Sequence, residues 1–168
     1  SWPGYMDVPH RLMEGYLAMA AEITAQAEAP FDVIALQAGV GGMAAAVAAH
    51  LRAVWGDGPR IVVVEPAFAP ALIESIRAGR PVETEGPVSA MGRLDCKVPS
   101  LIALKGLARD ADAFVTVTEE EVADVLPWLA ARGLATTASG AAGVAALRAM
   151  GLGEGTRALA ILSEEAEG

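Results

Sequence analysis

Three of the four residues from 39 to 42 are glycine, in the stretch LQAGVGGMAAAV that runs from Leu36 to Val47, and this spacing is the clearest chemical signal in the chain. The glycines follow an apolar run and precede an alanine-rich one. From Val33 to Ala49 the only strongly polar side chain is Gln37. A bare turn between a strand and a helix exposes unpaired N–H groups and the partial positive charge of a helix start, and glycine lets an anion approach the main chain without obstruction. Gly39, Val40, Gly41 and Gly42 are thus candidates for cradling a phosphate without any lysine. A second reading uses the same residues: Gly39, Gly41 and Ala44 satisfy the dinucleotide fingerprint G-x-G-x-x-A, and Glu65 stands at the end of the next strand, where an acid could meet a ribose. A third reading leaves the glycines no guest, only a tight turn and close packing of helix on strand. A membrane span is the poorest account, because a spanning helix wants ~20 apolar residues with basic flanks, and Asp32 and the glycines interrupt the run.

Other reactive types are sparse. The single cysteine, Cys96, has no second thiol for a disulfide or a metal and reads as a small buried hydrophobe, which points to a reducing compartment, the cytoplasm. His10 and His50 have no companions at ligand spacing, so no metal site is expected. Glu119, Glu120 and Glu121 fit the acidic first turn of a helix better than an acid/base pair. Ser139 reads as a helix N-cap. Trp2 and Tyr5 could border a site or plug a gap between domains.

These residues need a scaffold, and the periodicities supply one. Asp7 and Pro9 suit the start of a helix whose stripe is Leu12, Tyr16, Met19 and Ile23, and which ends near Ala29 and Pro30. A strand from Asp32 to Leu36, the glycine turn, and a helix from Met43 to about Val54 follow, stopped by GDGP at Gly56 to Pro59. RIVVVEP, Arg60 to Pro66, has no alternation, as expected of a parallel strand buried on both faces. A short helix from Pro70 to Ala78 leads into an irregular stretch, Gly79 to Pro99, of the kind that often carries function. Ser100 can cap the next helix, and Ala113 to Val117 is a strand. Thr118 with Glu121 forms a capping box for a helix through Arg132, kinked near Pro127 and stopped at Gly133. LATTASGAAGVAALRAMG predicts a short strand feeding a helix that ends at Gly151, and Ala158 to Ser163 is the last strand. Alternating strands and helices predict an α/β fold with a doubly wound, mostly parallel sheet, in one domain over residues 1–168.

Bulk composition narrows the partners. With 54% hydrophobic and 20% charged residues the chain can fill a core, and its net charge of -9 argues against nucleic acid or an anionic membrane as partner. The chain opens on Ser1 without an initiator methionine, which is read as a piece of a longer protein.

Three segments together carry a family resemblance: SWPGYMDVPHRLMEGYLAMAAEI at Ser1 to Ile23, LQAGVGGMAAAV at Leu36 to Val47, and IVVVEP at Ile61 to Pro66. They resemble the C-terminal portion of diaminopropionate ammonia-lyases, which belong to the fold type II, or tryptophan-synthase-β-like, enzymes that use pyridoxal 5′-phosphate. ASGAAGVAAL at Ala138 to Leu147 and LAILSEE at Leu159 to Glu165 are similar to segments recurring across that wider group. The resemblance implies that Gly39, Val40, Gly41 and Gly42 hold the cofactor's phosphate, and that a serine hydroxyl meets its pyridine nitrogen. Ser163 is the serine the lyases and hydroxyamino-acid dehydratases would use, and Ser139 the one used by the cysteine-synthase branch. It implies α,β-elimination from 2,3-diaminopropionate to pyruvate and ammonia, and a homodimer. Neither Lys97 nor Lys105 has the surroundings of the family's Schiff-base lysine, which is expected upstream on an N-terminal part of the same enzyme, as is the grip on the substrate carboxylate; alone, the chain is expected to be inactive. In the stretch Ser89 to Ser100 only the Cys-x-x-Pro portion follows the lyase pattern; Val98, Arg93 and Asp95 depart from it, which opens a serine or threonine dehydratase as the alternative substrate class. A degenerate, non-catalytic relative is the remaining alternative.

Overall fold

The computed structural model describes residues 1–166. Its elements, in chain order, are α1 (Asp7–Gln26), β1 (Val33–Gln37), α2 (Gly42–Trp55), β2 (Arg60–Pro66), α3 (Ala71–Ala78), α4 (Leu101–Asp110), β3 (Ala113–Val117), α5 (Glu119–Ala130), α6 (Ala138–Ala149) and β4 (Ala158–Ala160). The strands form one parallel sheet in the order β3-β2-β1-β4.

Period-two geometry sorts the two central strands onto two cores. Ile34, Leu36, Ile61 and Val63 point to one face and pack with α2, α4 and Ala20 of α1. Val33, Ala35, Val62 and Val64 point to the other and pack with α5 and α6. Both faces are therefore covered, which is why VIALQ and RIVVVEP lack alternation. Each fully buried Leu or Ile here contributes roughly 1.5–3 kcal/mol of transfer free energy. The alanines of α2 and α6 hold the helices close to the sheet: Ala44, Ala48, Ala141 and Ala142 are all fully buried.

Caps set the element boundaries. The Thr118 side chain accepts from the Glu121 amide while the Glu121 side chain accepts from the Thr118 amide, closing the expected capping box. Ser100 caps α4. α5 ends at Ala130 rather than Arg132, and the chain turns at Gly133 with φ +73°. Three expectations fail. No strand forms between Gly133 and α6; the segment pairs with no strand, and Thr136 and Thr137 give their hydroxyls to Glu164. The N-cap of α6 is Thr137, whose Oγ1 accepts from the Gly140 amide, so Ser139 lies inside the helix. β4 stops at Ala160, and Ser163 lies beyond it. Gly79 to Pro99 contains neither helix nor strand, as expected.

Candidate functional site

Strand order locates the site. β1 leaves through α2 on one face to pair with β2, whereas β4, on the other side of β1, is reached through α5 and α6 on the opposite face. The crevice at the carboxyl ends of β1 and β4 is thus the topological switch point of the sheet, where open α/β sheets bind ligands. A pocket of about 710 Å³ lies there, lined by the Gly39–Gly42 turn after β1, by Ser163 after β4, and by Tyr5, Val8 and Leu12 on an apolar wall at α1.

The turn is built for close approach. Gly41 is the N-cap of α2, with φ +96°, and a Cβ on it would stand 3.1 Å from Leu72 Cδ1. A Cβ on Gly39 would lie 2.9 Å from Cys96 Sγ and 3.0 Å from the Arg93 carbonyl oxygen. The amides of Gly41, Gly42, Met43 and Ala44 donate to no acceptor among the described residues, as the first turn of a helix dictates in the absence of a side-chain cap. Gly41 to Met43 line the pocket, so a helix start with its partial positive charge opens onto it.

The two candidate serines are separated by the fold. Ser163 lines the pocket with the glycines, and its Oγ accepts from Gln37 Nε2 at 3.2 Å. Ser139 accepts from the Arg93 amide at 3.1 Å and lines a neighbouring polar cavity of about 510 Å³. Arg93 and Glu164 border both cavities, joined by an ion pair at 3.2 Å, while Thr137 Oγ1 donates to the other oxygen of Glu164. Sequence reasoning does not single out Gln37 or Glu164 as site residues. Gln37 does announce itself there as the lone polar side chain in an apolar run, but nothing in the run points to its partners.

Other candidates lie elsewhere. Glu65, expected at the cofactor, is fully buried behind the start of α3, where its carboxylate accepts from the Leu72 and Ile73 amides at 2.7 and 2.8 Å. Burial pushes its carboxyl up to about 7 against the pull of those two amides. It does not line the pocket and has no oxygen free for a ribose, which removes the acid from the dinucleotide reading. Lys97 Nζ is taken up by the Phe68 carbonyl, the Pro87 carbonyl and Asp95, and Lys105 is exposed on α4. Neither lysine lines the pocket. The Cys96 thiol does line it, and burial raises its pKa, as for an inert thiol. His50 meets Thr24 and His10 meets Glu14, and no group of metal-ligating side chains occurs among the described residues. No helix among them is long and apolar enough to cross a membrane. Tyr5 stacks on Trp2 with ring centroids 4.5 Å apart and borders the pocket.

Comparison with known families decides the class. The family described as "Pyridoxal-phosphate dependent enzyme" matches residues 3–164. The chain belongs to this family. Among curated relatives of this pyridoxal-phosphate dependent chain, the diaminopropionate ammonia-lyase of Escherichia coli (strain K12) is 30% identical over 129 residues, covering 73% of the chain and 32% of the relative. That of Salmonella typhimurium is 29% identical over 71% of the chain and 31% of the relative, and the L-threonine ammonia-lyase of Thermotoga maritima 26% identical over 69% and 29%. The chain therefore spans about a third of the length of the curated relatives it matches. In fold it is similar to the E. coli diaminopropionate ammonia lyase solved with its aminoacrylate-PLP azomethine reaction intermediate, with a TM-score of 0.84 and 24% identity over 98% of this chain and 48% of that one. It is equally similar to the threonine deaminase of Solanum lycopersicum, isoform 2 in its processed form, with a TM-score of 0.85 and 19% identity over 92% of this chain and 46% of that one.

The family's cofactor, pyridoxal phosphate, fits the residues present. The unpaired amides, with Gly39 and Gly41 too crowded for a Cβ, suit its phosphate, the apolar wall suits the ring, and the Ser163 hydroxyl lines the same pocket. An amine from either lysine is not part of this pocket.

Proposed function

We propose that this chain is the cofactor-supporting part of a pyridoxal-phosphate-dependent ammonia-lyase acting on 2,3-diaminopropionate. Its main support is the convergence on one switch-point pocket of the amide-bearing turn Gly39–Gly42 and the hydroxyl of Ser163. In this reading Gly39, Val40, Gly41 and Gly42 bind the phosphate, Ser163 meets the pyridine nitrogen, and Ser139 holds the Arg93 amide instead. Val8 and Leu12 give one side of the pocket an apolar lining. When bound, the cofactor would supply an electron sink for the pair left as the substrate's Cα loses its proton; the β-amino group leaves as one ammonia, and water hydrolyses the released enamine to pyruvate and a second ammonia. A lysine amine that carries the cofactor and moves that proton belongs to an N-terminal part of the same enzyme, working as a cytoplasmic homodimer, so the chain by itself binds but does not turn over.

The presence of diaminopropionate ammonia-lyases among the relatives supports a diamine over a hydroxyamino acid as substrate. The Thermotoga L-threonine ammonia-lyase and the departures at Arg93, Asp95 and Val98 keep serine or threonine dehydration as the second reading. The test is a product assay on the enzyme carrying this chain: pyruvate from diaminopropionate at a kcat/KM at least tenfold above those for serine and threonine supports the first reading, and the reverse ranking the second. Failure of the protein to take up pyridoxal phosphate overturns both.

A further inference from the structure

Gln37 ends β1 and is 1% exposed, yet its Oε1 has no hydrogen-bond partner among the described residues. A buried orphan carbonyl is a cost that a methionine of similar shape would avoid. The other end of the amide shows what offsets it. Nε2 donates to the Ile161 carbonyl at 2.7 Å and to Ser163 Oγ at 3.2 Å. Turning the amide over would set Oε1 against the Ile161 oxygen, so that carbonyl fixes which end is the donor. Both amide hydrogens are thereby used, and one of them is received by Ser163.

A serine hydroxyl has one hydrogen to give. Ser163 Oγ accepts from Gln37 and donates to no acceptor among the described residues, and it lines the same pocket as the glycine turn. Ser163 is exposed, so its proton is open to a guest in the pocket, in competition with water. We infer that Gln37 is a positioning residue that fills one of the two Ser163 lone pairs and biases the hydroxyl toward donating, so that the pocket favours a ring whose nitrogen is unprotonated over one that presents an N–H. The inference rests on the reading of this pocket as the pyridoxal-phosphate site. It gives Gln37 a role through Ser163 and none in direct contact with the reacting atoms.

Gln37→Glu is the informative change. An oxygen at the Nε2 position can give a proton to the Ile161 carbonyl, or give none, and in either case it takes the Ser163 proton instead of supplying one. Dissociation constants of the full chain are measured for pyridoxal phosphate and for its analogue with C–H in place of the ring nitrogen, and the ring ¹⁵N resonance of labelled pyridoxal phosphate is recorded in the same complexes. The unsubstituted protein is expected to prefer the nitrogen ring by about tenfold, the worth of one hydrogen bond, with its ¹⁵N signal in the unprotonated, hydrogen-bonded range. Gln37→Glu removes the preference and moves the signal toward the protonated range. Gln37→Met, which keeps the volume and frees the hydroxyl to rotate, reduces the preference without that movement. An unchanged preference and signal in both Gln37 variants, while Ser163→Ala alters them, overturns the role of Gln37 alone. No preference in the unsubstituted protein overturns it without any variant. No uptake of pyridoxal phosphate, or a ¹⁵N signal indifferent to Ser163→Ala, removes the site reading itself.

Discussion

At Gly41 the backbone sits at φ +96° and ψ 1°, and an added Cβ would meet Ala103 Cβ and Leu72 Cδ1 at 3.1 Å. A left-handed conformation costs a non-glycine residue about 1–2 kcal/mol, and crowding adds to that. Gly41→Ala is expected to lower the unfolding free energy by about 2 kcal/mol in a urea titration, and to weaken pyridoxal-phosphate binding. Gly15 is the matched control: it lies exposed within α1 with nothing within 4 Å of its Cβ position, so Gly15→Ala should stabilise by roughly 1 kcal/mol. Glu65 titrates differently from the surface carboxylates. Burial raises its pKa from 4.5 to about 7, so the folded state holds a proton that the unfolded chain has released between those values. Its stabilising contribution is full below pH 4.5 and is lost as pH rises through 7, amounting to about 3 kcal/mol. The difference in unfolding free energy between the wild type and Glu65→Gln should shrink or reverse by that amount from pH 4.5 to 8, since all other groups cancel; a flat difference would mean that the two α3 amides keep the carboxylate ionised. What can be read at this scale in the sequence is the glycine turn, because glycine's requirement is a property of the residue itself. Gln37 shows only as an anomaly, since its partners are 124 and 126 residues away. Glu65 is misplaced by sequence reasoning because a strand-ending acid looks the same in a string whether it faces a ligand or a helix start.

The elements divide along the same line between local and distant causes. The Thr118–Glu121 capping box, the Ser100 cap and the buried strands Val33–Gln37 and Arg60–Pro66 are legible, because each depends on neighbours in sequence or on a run of apolar types. Thr118→Ala removes one half of the box and should cost about 1 kcal/mol of stability by thermal or urea unfolding. The strand expected just before α6 rests on β-forming residue types and does not exist: the segment finds no sheet edge, and its two threonines bond instead to Glu164 near the far end of the chain. The same recruitment moves the α6 cap to Thr137 and leaves Ser139 free to hold Arg93. Within irregular Gly79 to Pro99 one ammonium gathers three acceptors: Lys97 Nζ lies 2.7 Å from the Phe68 carbonyl, 3.0 Å from the Pro87 carbonyl and 2.5 Å from Asp95, whose pKa is lowered chiefly by that contact. Lys97→Met strands those acceptors at a cost of about 1–3 kcal/mol. Hydrogen exchange is expected to quicken across residues 79–99 while α5 and α6 stay protected. Uniform quickening over the whole chain would instead mark Lys97 as a support of the global fold.

Across the whole molecule, the parallel sheet presents one crevice where its winding reverses, and the two sides of that crevice come from segments with very different support. The Gly39–Gly42 turn sits between β1 and α2, both packed in the main core, whereas the Ser163 side hangs from β4, a strand of three residues pinned beyond its end by Gln37 and Thr136. A ligand that spans the crevice binds the folded state alone and stabilises it by mass action, about 2.7 kcal/mol at a concentration of 100 times Kd. For a chain of this size each kcal/mol moves Tm by about 2–4 °C, so saturating pyridoxal phosphate should raise Tm by roughly 5–10 °C. The distribution of that gain is the sharper test. Because the glycine turn is already anchored and the β4 tail is not, amide protection should increase most at residues 158–164 and only modestly at 43–48. Inorganic phosphate, which can occupy the helix start but cannot reach across to Ser163, should raise Tm slightly and leave the tail's exchange unaltered. Equal protection of the tail by phosphate and by pyridoxal phosphate would mean that the ring does not bridge the crevice, and that the turn alone holds the ligand.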